Sequence, residues 1–228
     1  MNAKTSPQRT ALITGGSRGI GAAIASELTQ RGFCVITPTR AELDLEQPAS
    51  VDAYLAAQKS IAVDILVNNA GINVLNPVAT IDAAAWQAML QTNLTSALRL
   101  IQGFAPGMAA RGWGRILSVS TIFSVVTRER RAAYSMTKAA LNALTRSAAL
   151  EFGPSGVLVN ALAPGYVDTA LTRQNNSPEQ IAAIESAIPL RRLAQATELA
   201  KVAAFLVSDE NSYLTGQTVI VDGGFTCQ

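Results

Sequence analysis

Residues Thr14-Gly15-Gly16-Ser17-Arg18-Gly19-Ile20-Gly21 join an apolar run, residues 11–14, to a helical pattern over residues 20–31. Glycine lets the chain turn tightly and lets a pyrophosphate approach the backbone. A helix that begins near Ile20 directs free N–H groups and the positive end of its dipole toward such a phosphate. The stretch therefore predicts a dinucleotide-binding loop between the first strand and the first helix, although a glycine-rich turn without a ligand would have the same composition.

Apolar runs typical of strands alternate with longer helical patterns along the rest of the chain. The strand-type runs are residues 11–14, 34–37, 63–67, 115–119, 157–159 and 218–221. The helical patterns are residues 20–31, 51–58, 82–111, 132–152 and 197–206. This alternation predicts a parallel sheet that is covered by helices on both faces. We therefore expect one α/β domain over residues 1–228, a doubly wound Rossmann fold with about seven strands.

The composition excludes several classes of function. The chain has 228 residues, of which 49% are apolar and 15% charged, and its net charge of +2 gives no reason to expect binding to nucleic acid or to an anionic membrane. It contains no histidine, which excludes a Ser-His-Asp triad and histidine ligands for zinc. We expect no metal site. Because Cys34 lies in an apolar run, we expect it to be buried and free of a disulfide.

The sequence also bears on where the protein resides. Residues 1–10 are polar and lack the apolar region of a signal peptide. No apolar run reaches the length of about 18 residues that predicts a membrane-spanning helix. Because only two cysteines are present, reducing conditions suit the chain. We therefore expect a cytoplasmic protein.

A tyrosine and a lysine four residues apart form the candidate catalytic pair. Tyr134 and Lys138 belong to the helical pattern 132–152, so they share one face of that helix. Free tyrosine has a pKa of about 10 and is a poor base at neutral pH. A neighbouring ammonium favours the phenolate, so we expect Lys138 to lower the pKa of Tyr134 toward the range that general acid–base catalysis requires.

Several motifs accompany this pair in a fixed order. They are the glycine stretch with its G-x-x-x-G-x-G spacing, Asn68-Asn69-Ala70-Gly71, Pro164-Gly165-Tyr166-Val167-Asp168-Thr169 and Val221-Asp222-Gly223-Gly224. Together with Tyr-x-x-x-Lys they resemble the short-chain dehydrogenase/reductase family, in its short single-domain branch and in the manner of 3-oxoacyl-acyl-carrier-protein reductases. The resemblance implies an oxidoreductase that interconverts a carbonyl and a secondary alcohol with a nicotinamide cofactor.

The resemblance also assigns roles to individual residues. The catalytic residues it implies are Asn93, Thr121, Tyr134 and Lys138. Thr121 stands where the family usually has serine, Ser120 is the alternative hydroxyl, and Asn93 would hold a water in a proton relay with Lys138. The cofactor-binding residues it implies are Gly15, Ser17, Arg18, Gly19, Ile20, Gly21, Thr39, Arg40, Asp44, Leu45, Asn69, Ala70, Gly71, Tyr134, Lys138, Pro164, Gly165, Val167 and Thr169.

The residues after the second strand bear on the choice of cofactor. Thr39 stands where members that use NAD carry an acid for the ribose, and Arg40 follows it. A guanidinium can bind a 2′-phosphate through two hydrogen bonds, and Arg18 is a second cation near the same place. We therefore expect NADP(H), with NAD(H) as the alternative. Glu42 could repel the phosphate or pair with Arg40, and Arg40 could instead lie in a solvated loop.

The substrate is not identified by any motif. The basic segment of residues 127–131 follows the catalytic strand, and it favours a solvated loop or subunit contact, with binding of an anionic substrate as the alternative. The competing function is a catalytically silent dinucleotide-binding or redox-sensing module. An epimerase of the family's extended branch would need a longer chain. The resemblance further implies a small-molecule substrate and a homo-oligomer, either a tetramer or a dimer.

Overall fold

Six parallel strands form one sheet in the computed structural model, which describes residues 8–227 except the side chain of Leu171. The strands are β1 (Thr10–Ile13), β2 (Cys34–Ile36), β3 (Ile65–Asn68), β4 (Gly114–Val119), β5 (Val157–Pro164) and β6 (Thr218–Val221). Their order is β2-β1-β3-β4-β5-β6, and each neighbouring pair is parallel. The predicted doubly wound sheet is confirmed. Most of the polar segment 1–10, and both ends of the range 1–228, lie outside the described residues.

Helices cover both faces of this sheet. They are α1 (Gly19–Gln30), α2 (Pro48–Ala57), α3 (Ala83–Leu90), α4 (Ser96–Ala110), α5 (Ala132–Phe152), α6 (Ala170–Asn175), α7 (Pro178–Ala187) and α8 (Ala196–Val207). One apolar cluster joins the sheet to α1 and α8, and a second joins it to α2, α4 and α5. Along β1, Leu12 belongs to one cluster while Ala11 and Ile13 belong to the other, because successive side chains of a strand point to opposite faces. Burial on both faces explains why the strands are continuously apolar.

The described residues contain six strands and not about seven. The segment between β2 and α2 forms turns, because the Glu42 carboxylate accepts hydrogen bonds from both the N–H and the hydroxyl of Thr39. Beyond β5, the parallel pairing of Val167 with Ala194 is a single bridge. Neither segment is an apolar run, and a strand inside a doubly wound sheet needs one.

Two further expectations were wrong in detail. The helical pattern 82–111 is divided by a π-helical turn, Gln91–Thr95, between α3 and α4, and Asp82 is the N-cap of α3 and accepts a hydrogen bond from the N–H of Ala85. Cys34 is exposed, because β2 is the edge strand of the sheet. An apolar run therefore did not establish which strand would be central.

Candidate active site

A cavity of about 510 Å³ opens at the carboxyl ends of the parallel strands, where ligands of such sheets bind. Every predicted cofactor and catalytic residue except Asn93 lines it. They are Gly15, Ser17, Arg18, Gly19, Ile20, Gly21, Thr39, Arg40, Asp44, Leu45, Asn69, Ala70, Gly71, Thr121, Tyr134, Lys138, Pro164, Gly165, Val167 and Thr169. The glycine loop and the segment after β2 form one end of the cavity, and Tyr134 with its neighbours forms the other.

The glycine loop has the geometry of a phosphate cradle. Gly15 and Gly19 have φ values of +65° and +58°, which side chains rarely adopt. A Cβ on Gly21 would lie 2.3 Å from the carbonyl oxygen of Gly15, so the turn closes only with glycine there. The first turn of α1 carries no acidic residue, and its N-cap, Arg18, makes no side-chain capping bond. The free N–H groups at this N-terminus therefore suit a diphosphate.

The loop after β3 supports this turn from the side. The side-chain Nδ2 of Asn69 donates to the carbonyl oxygens of Thr14 (2.9 Å) and Gly15 (3.1 Å). A Cβ on Gly71 would lie 3.2 Å from Oδ1 of Asn93 and 3.3 Å from Nζ of Lys138. Asn69 thus holds the glycine loop in place. Gly71, which has no side chain, leaves space in the cavity next to Lys138.

The end of the cavity near β2 carries an exposed arginine that is already paired. The side chain of Arg40 is 74% exposed, and its guanidinium lies 3.3 Å from Asp44 and 2.9 Å from Glu46. Glu42 does not pair with it. The hydrogen bonds from the N–H and hydroxyl of Thr39 hold the carboxylate of Glu42 and lower its pKa. A second arginine, Arg18, is exposed and forms no ion pair within the described part of the chain.

The opposite end of the cavity holds a partly buried tyrosine and a buried lysine on the first turns of α5. The Nζ atom of Lys138 lies 5.9 Å from the centroid of the Tyr134 ring and donates to the carbonyl oxygen of Val119 at 2.7 Å. Burial lowers the pKa of Lys138 to about 8. Burial also raises the pKa of Tyr134 to about 12, against the smaller lowering effects of the Arg131 charge and a hydrogen bond from Thr121. The expectation that Lys138 lowers the pKa of Tyr134 was therefore wrong for this structure: burial dominates, and the opposing cation is Arg131.

The two candidate hydroxyls after β4 have different surroundings. Thr121 is extended, its side chain hydrogen-bonds that of Tyr134, and its Oγ1 accepts a hydrogen bond from the N–H of Phe123. Ser120 Oγ donates to the backbone carbonyl of Lys138 at 3.4 Å. Thr121 is thus the hydroxyl that contacts the phenol, while Ser120 contacts the helix backbone.

Asn93 lies behind the cavity, in the π-helical turn. Its side chain is 2% exposed, and Oδ1 accepts from the N–H of Ile72 at 2.8 Å. Nδ2 donates to the carbonyl of Ile72 at 2.9 Å and to the hydroxyl of Thr137 at 3.1 Å. The amide therefore clamps the segment after β3 against α5. A π-helical turn inside a helix is often found at functional sites.

The loop after β5 forms the roof beside Tyr134. A Cβ on Gly165 would lie 2.7 Å from the Cα of Asp222, so the end of β5 can approach β6 only with glycine. Thr169 is the N-cap of α6, and the carbonyl of Val167 accepts a hydrogen bond from the Thr172 hydroxyl at 2.6 Å. These contacts fix the backbone of this loop, which approaches the glycine loop: a Cβ on Gly19 would lie 3.7 Å from the Cγ2 of Thr169.

Comparison with known proteins agrees with this geometry. The sequence pattern named Enoyl-(Acyl carrier protein) reductase matches residues 37–226, and the pattern named short chain dehydrogenase matches residues 9–51. The 3-oxoacyl-(acyl-carrier-protein) reductase FabG of Vibrio cholerae is 36% identical, over 95% of this chain and 96% of its own length. The chain belongs to the short-chain dehydrogenase/reductase family. The predicted family and the predicted class of enzyme, an oxidoreductase, are thereby confirmed.

Solved structures of short-chain dehydrogenases overlay closely on the chain. One is a Beutenbergia cavernae protein assigned as an NAD(P)-dependent gluconate 5-dehydrogenase, with NADP bound at low occupancy; it has a TM-score of 0.93 and 34% identity, over 98% of this chain and 99% of its own. Another is a gluconate 5-dehydrogenase of Burkholderia cenocepacia in complex with NADP and tartrate, with a TM-score of 0.88 and 31% identity over 96% of each chain.

Three residues beside Tyr134 were not among the predicted site residues of this short-chain dehydrogenase. Phe123, Arg131 and Tyr166 line the cavity beside Tyr134. The ring of Phe123 meets that of Tyr166 edge to face at 6.0 Å, and the Arg131 guanidinium lies over the Phe123 ring at 4.5 Å. The basic segment 127–131 was a visible signal, but its spacing does not tell which arginine points inward.

The structure also bears on metal binding and on membrane insertion. Within residues 8–227, no group of three or more His, Cys, Asp or Glu side chains is placed to hold a metal ion. In the same part of the chain, no helix combines the length and apolar character needed to cross a bilayer.

Proposed function

We propose that this short-chain dehydrogenase interconverts a carbonyl and a secondary alcohol with NADP(H), and that Tyr134 is its general acid and base. One observation carries the proposal: a partly buried phenol, with a hydroxyl and an ammonium beside it, lies in the same cavity as an uncapped helix N-terminus behind a glycine turn. When bound, the nicotinamide supplies or accepts the hydride. The residues of the chain must then manage the proton on the substrate oxygen.

Tyr134 exchanges that proton through its phenolic oxygen. In carbonyl reduction the phenol donates its proton to the developing alkoxide, and in alcohol oxidation the phenolate takes it back. Because the pKa of Tyr134 is raised to about 12, the phenol is protonated and ready to donate in the resting protein. The hydroxyl of Thr121 hydrogen-bonds the same phenol, and we assign it to hold the substrate oxygen beside Tyr134.

Lys138 holds positive charge close to the phenol. One of its three N–H groups is committed to the carbonyl of Val119, and the other two are free to bind the cofactor ribose and to stabilise the phenolate formed during turnover. Asn93 positions this arrangement, because its amide holds the segment after β3 next to Lys138. A water relay through Asn93 is part of the proposal.

The remaining predicted residues bind the cofactor. The glycine loop receives the diphosphate, Asn69, Ala70 and Gly71 border the adenosine ribose, and the segment of residues 164–169 borders the nicotinamide. Arg18 and Arg40 favour the 2′-phosphate of NADP(H) over NAD(H). NADP in the structures of two similar dehydrogenases supports this choice.

We also propose that the chain works as a homo-oligomer. Leu98 on α4 and Leu150 on α5 are exposed apolar side chains on the two long helices, and Leu150 is 81% exposed. Apolar groups exposed to this degree are better satisfied in a contact between copies. A mass measurement in solution decides between a monomer and a dimer or tetramer.

Replacing Tyr134 with phenylalanine tests the catalytic proposal. The variant keeps the ring but lacks the proton donor, so we expect kcat to fall by a factor of about 10³ or more while NADPH still binds. The assay is the absorbance of reduced nicotinamide with a panel of ketones and alcohols, and NADPH fluorescence measures binding. Tyr213→Phe is the matched control, because Tyr213 is 95% exposed.

Two results would contradict the proposal. Turnover of Tyr134→Phe at nearly the wild-type rate would remove the role of the phenol. Wild-type protein that binds NADPH but turns over no member of the panel would support the competing function, a silent dinucleotide-binding module.

A further inference from the structure

Arg131 is a buried cation without an anionic partner. It is the N-cap residue of α5, it is 8% exposed, and it lines the cavity one helical turn before Tyr134. Its guanidinium lies over the face of the Phe123 ring, 4.5 Å from the centroid. Within the described chain, no ion pair or side-chain hydrogen bond engages this guanidinium. Its nitrogen atoms keep some access to the cavity, because none of them is among the fully buried polar atoms of the described chain that lack a partner.

An unpaired buried charge is costly, and arginine cannot avoid the cost by losing its proton. Burial lowers the pKa of Arg131, the charge of Arg128 adds to this, and Tyr166 and Tyr134 only partly oppose it. The cation–π contact with the face of Phe123 offsets only part of this cost. The site therefore favours an anion that enters the cavity and accepts the free N–H groups.

The neighbouring arginines are held elsewhere, so the inward placement is specific to Arg131. Arg128 is exposed and donates to the hydroxyl of Tyr166 at 2.9 Å. Arg130 is exposed and adopts φ +65°, a left-handed conformation that is strained for a non-glycine residue. The N–H of Asn76 holds this turn by donating to the carbonyl of Arg130 at 3.1 Å. The strained turn is what directs the next residue, Arg131, into the cavity.

We propose that Arg131 binds a carboxylate of the substrate, and that the substrates of this dehydrogenase are oxo acids and the corresponding hydroxy acids. The inference rests on the proposed function, because it places the carboxylate relative to the carbonyl that Tyr134 protonates. Arg131 and Tyr134 are three residues apart at the start of α5, so their side chains share one face of the helix. A guanidinium with one face against a ring still offers its edge, which matches a planar carboxylate through two hydrogen bonds.

Matched acids and esters test this assignment. Acetoacetate and levulinate are reduced with NADPH alongside their methyl esters, using the wild type, Arg131→Gln and Arg131→Lys. A hydrogen-bonded ion pair with the substrate predicts that Arg131→Gln lowers kcat/KM for the acids by about 10²-fold, chiefly through KM, and for the esters by less than about threefold. Arg131→Lys keeps the charge but not the paired donors, so its loss on the acids is intermediate.

Arg130→Gln is the matched control. It removes the same charge from the neighbouring residue, whose side chain is exposed. It should leave the ratio of acid to ester unchanged. Thermal melting and NADPH binding establish that each variant is folded, and if Arg131→Gln does not fold, Arg131→Lys carries the comparison.

The outcomes separate this inference from the proposed function. Equal losses on acids and esters would mean that Arg131 acts through Tyr134 or the fold, and they would overturn carboxylate binding. Wild-type protein that reduces esters and neutral ketones but no oxo acid would also overturn it while leaving the hydride-transfer function intact. Only a wild type inactive on every carbonyl and alcohol would remove the proposed function itself.

Discussion

The two ends of the cavity hold cations in opposite circumstances. At the end near β2, Arg40 is 74% exposed and lies between two carboxylates. At the end near α5, Lys138 and Arg131 are 3% and 8% exposed, and neither contacts a carboxylate in the part of the chain that the structure describes. The same kind of charge is thus neutralised and solvated at one end, and left available to a ligand at the other.

The energetic effect of a charge depends on its burial, and it is small for the exposed Arg40 and large for the buried Lys138. An exposed ion pair contributes only about 0 to 1 kcal/mol and weakens with salt, so Arg40 can adjust cofactor preference without endangering the fold. Burial lowers the pKa of Lys138 from 10.5 to about 8. At about 1.4 kcal/mol for each pKa unit, holding that charge costs the native protein roughly 3 kcal/mol. We infer that this cost is retained because the buried ammonium serves the chemistry.

Replacing Lys138 with methionine tests the role of the buried charge. We expect kcat to fall about 10²-fold or more, because the phenolate loses its neighbouring charge. We also expect the variant to be more stable at pH 7 by about 2 kcal/mol, which is the relieved burial cost less the hydrogen bond to Val119. Denaturant unfolding measures this second quantity.

The pH dependence gives the sign of the stability effect. Below pH 8 the lysine is charged in both the folded and the unfolded protein, and the folded protein bears the whole cost. Between pH 8 and 10.5 the folded lysine is neutral while the unfolded one still binds a proton, so wild-type stability rises with pH and the advantage of Lys138→Met disappears. The exposed Lys201→Met is the control and should show no such trend. An advantage that grows from pH 7 to pH 10 would contradict our account of the buried charge.

Replacing Arg40 with alanine would test the exposed end. We expect the KM for NADPH to rise by about tenfold at low salt and by less at high salt, with the KM for NADH changed by less than about twofold. Steady-state kinetics with both cofactors at two ionic strengths measures this. Equal losses for NADPH and NADH would show that Arg40 does not contact the 2′-phosphate.

Removing an acid from the same end should have the smallest effect, in the opposite direction. The Glu42 carboxylate accepts hydrogen bonds from the N–H and hydroxyl of Thr39, which lines the cavity, so we expect the carboxylate to repel a phosphate bound there. We therefore expect Glu42→Gln to lower the KM for NADPH by about two- to threefold and to leave NADH unchanged. A rise in the KM for NADPH would mean that the Thr39 turn, and not the charge of Glu42, matters for binding.

The strand and helix order, the glycine turn and the Tyr134–Lys138 pair followed from the sequence, because local spacing decides them. Apolar runs determine strands, glycines permit one tight turn, and residues four apart share a helix face. Twenty of the 21 predicted site residues, all except Asn93, line one cavity because parallel strands bring their carboxyl ends to a single edge.

Only the tertiary structure determined the burial and the partners of each charged group. It placed Arg131 inside and Arg130 outside, paired Arg40 with Asp44 and Glu46, and exposed Cys34 on an edge strand. It also reversed the expected direction of the pKa of Tyr134. Burial and charge partners come from segments far apart in the chain, so the spacing of neighbouring residues carries no record of them.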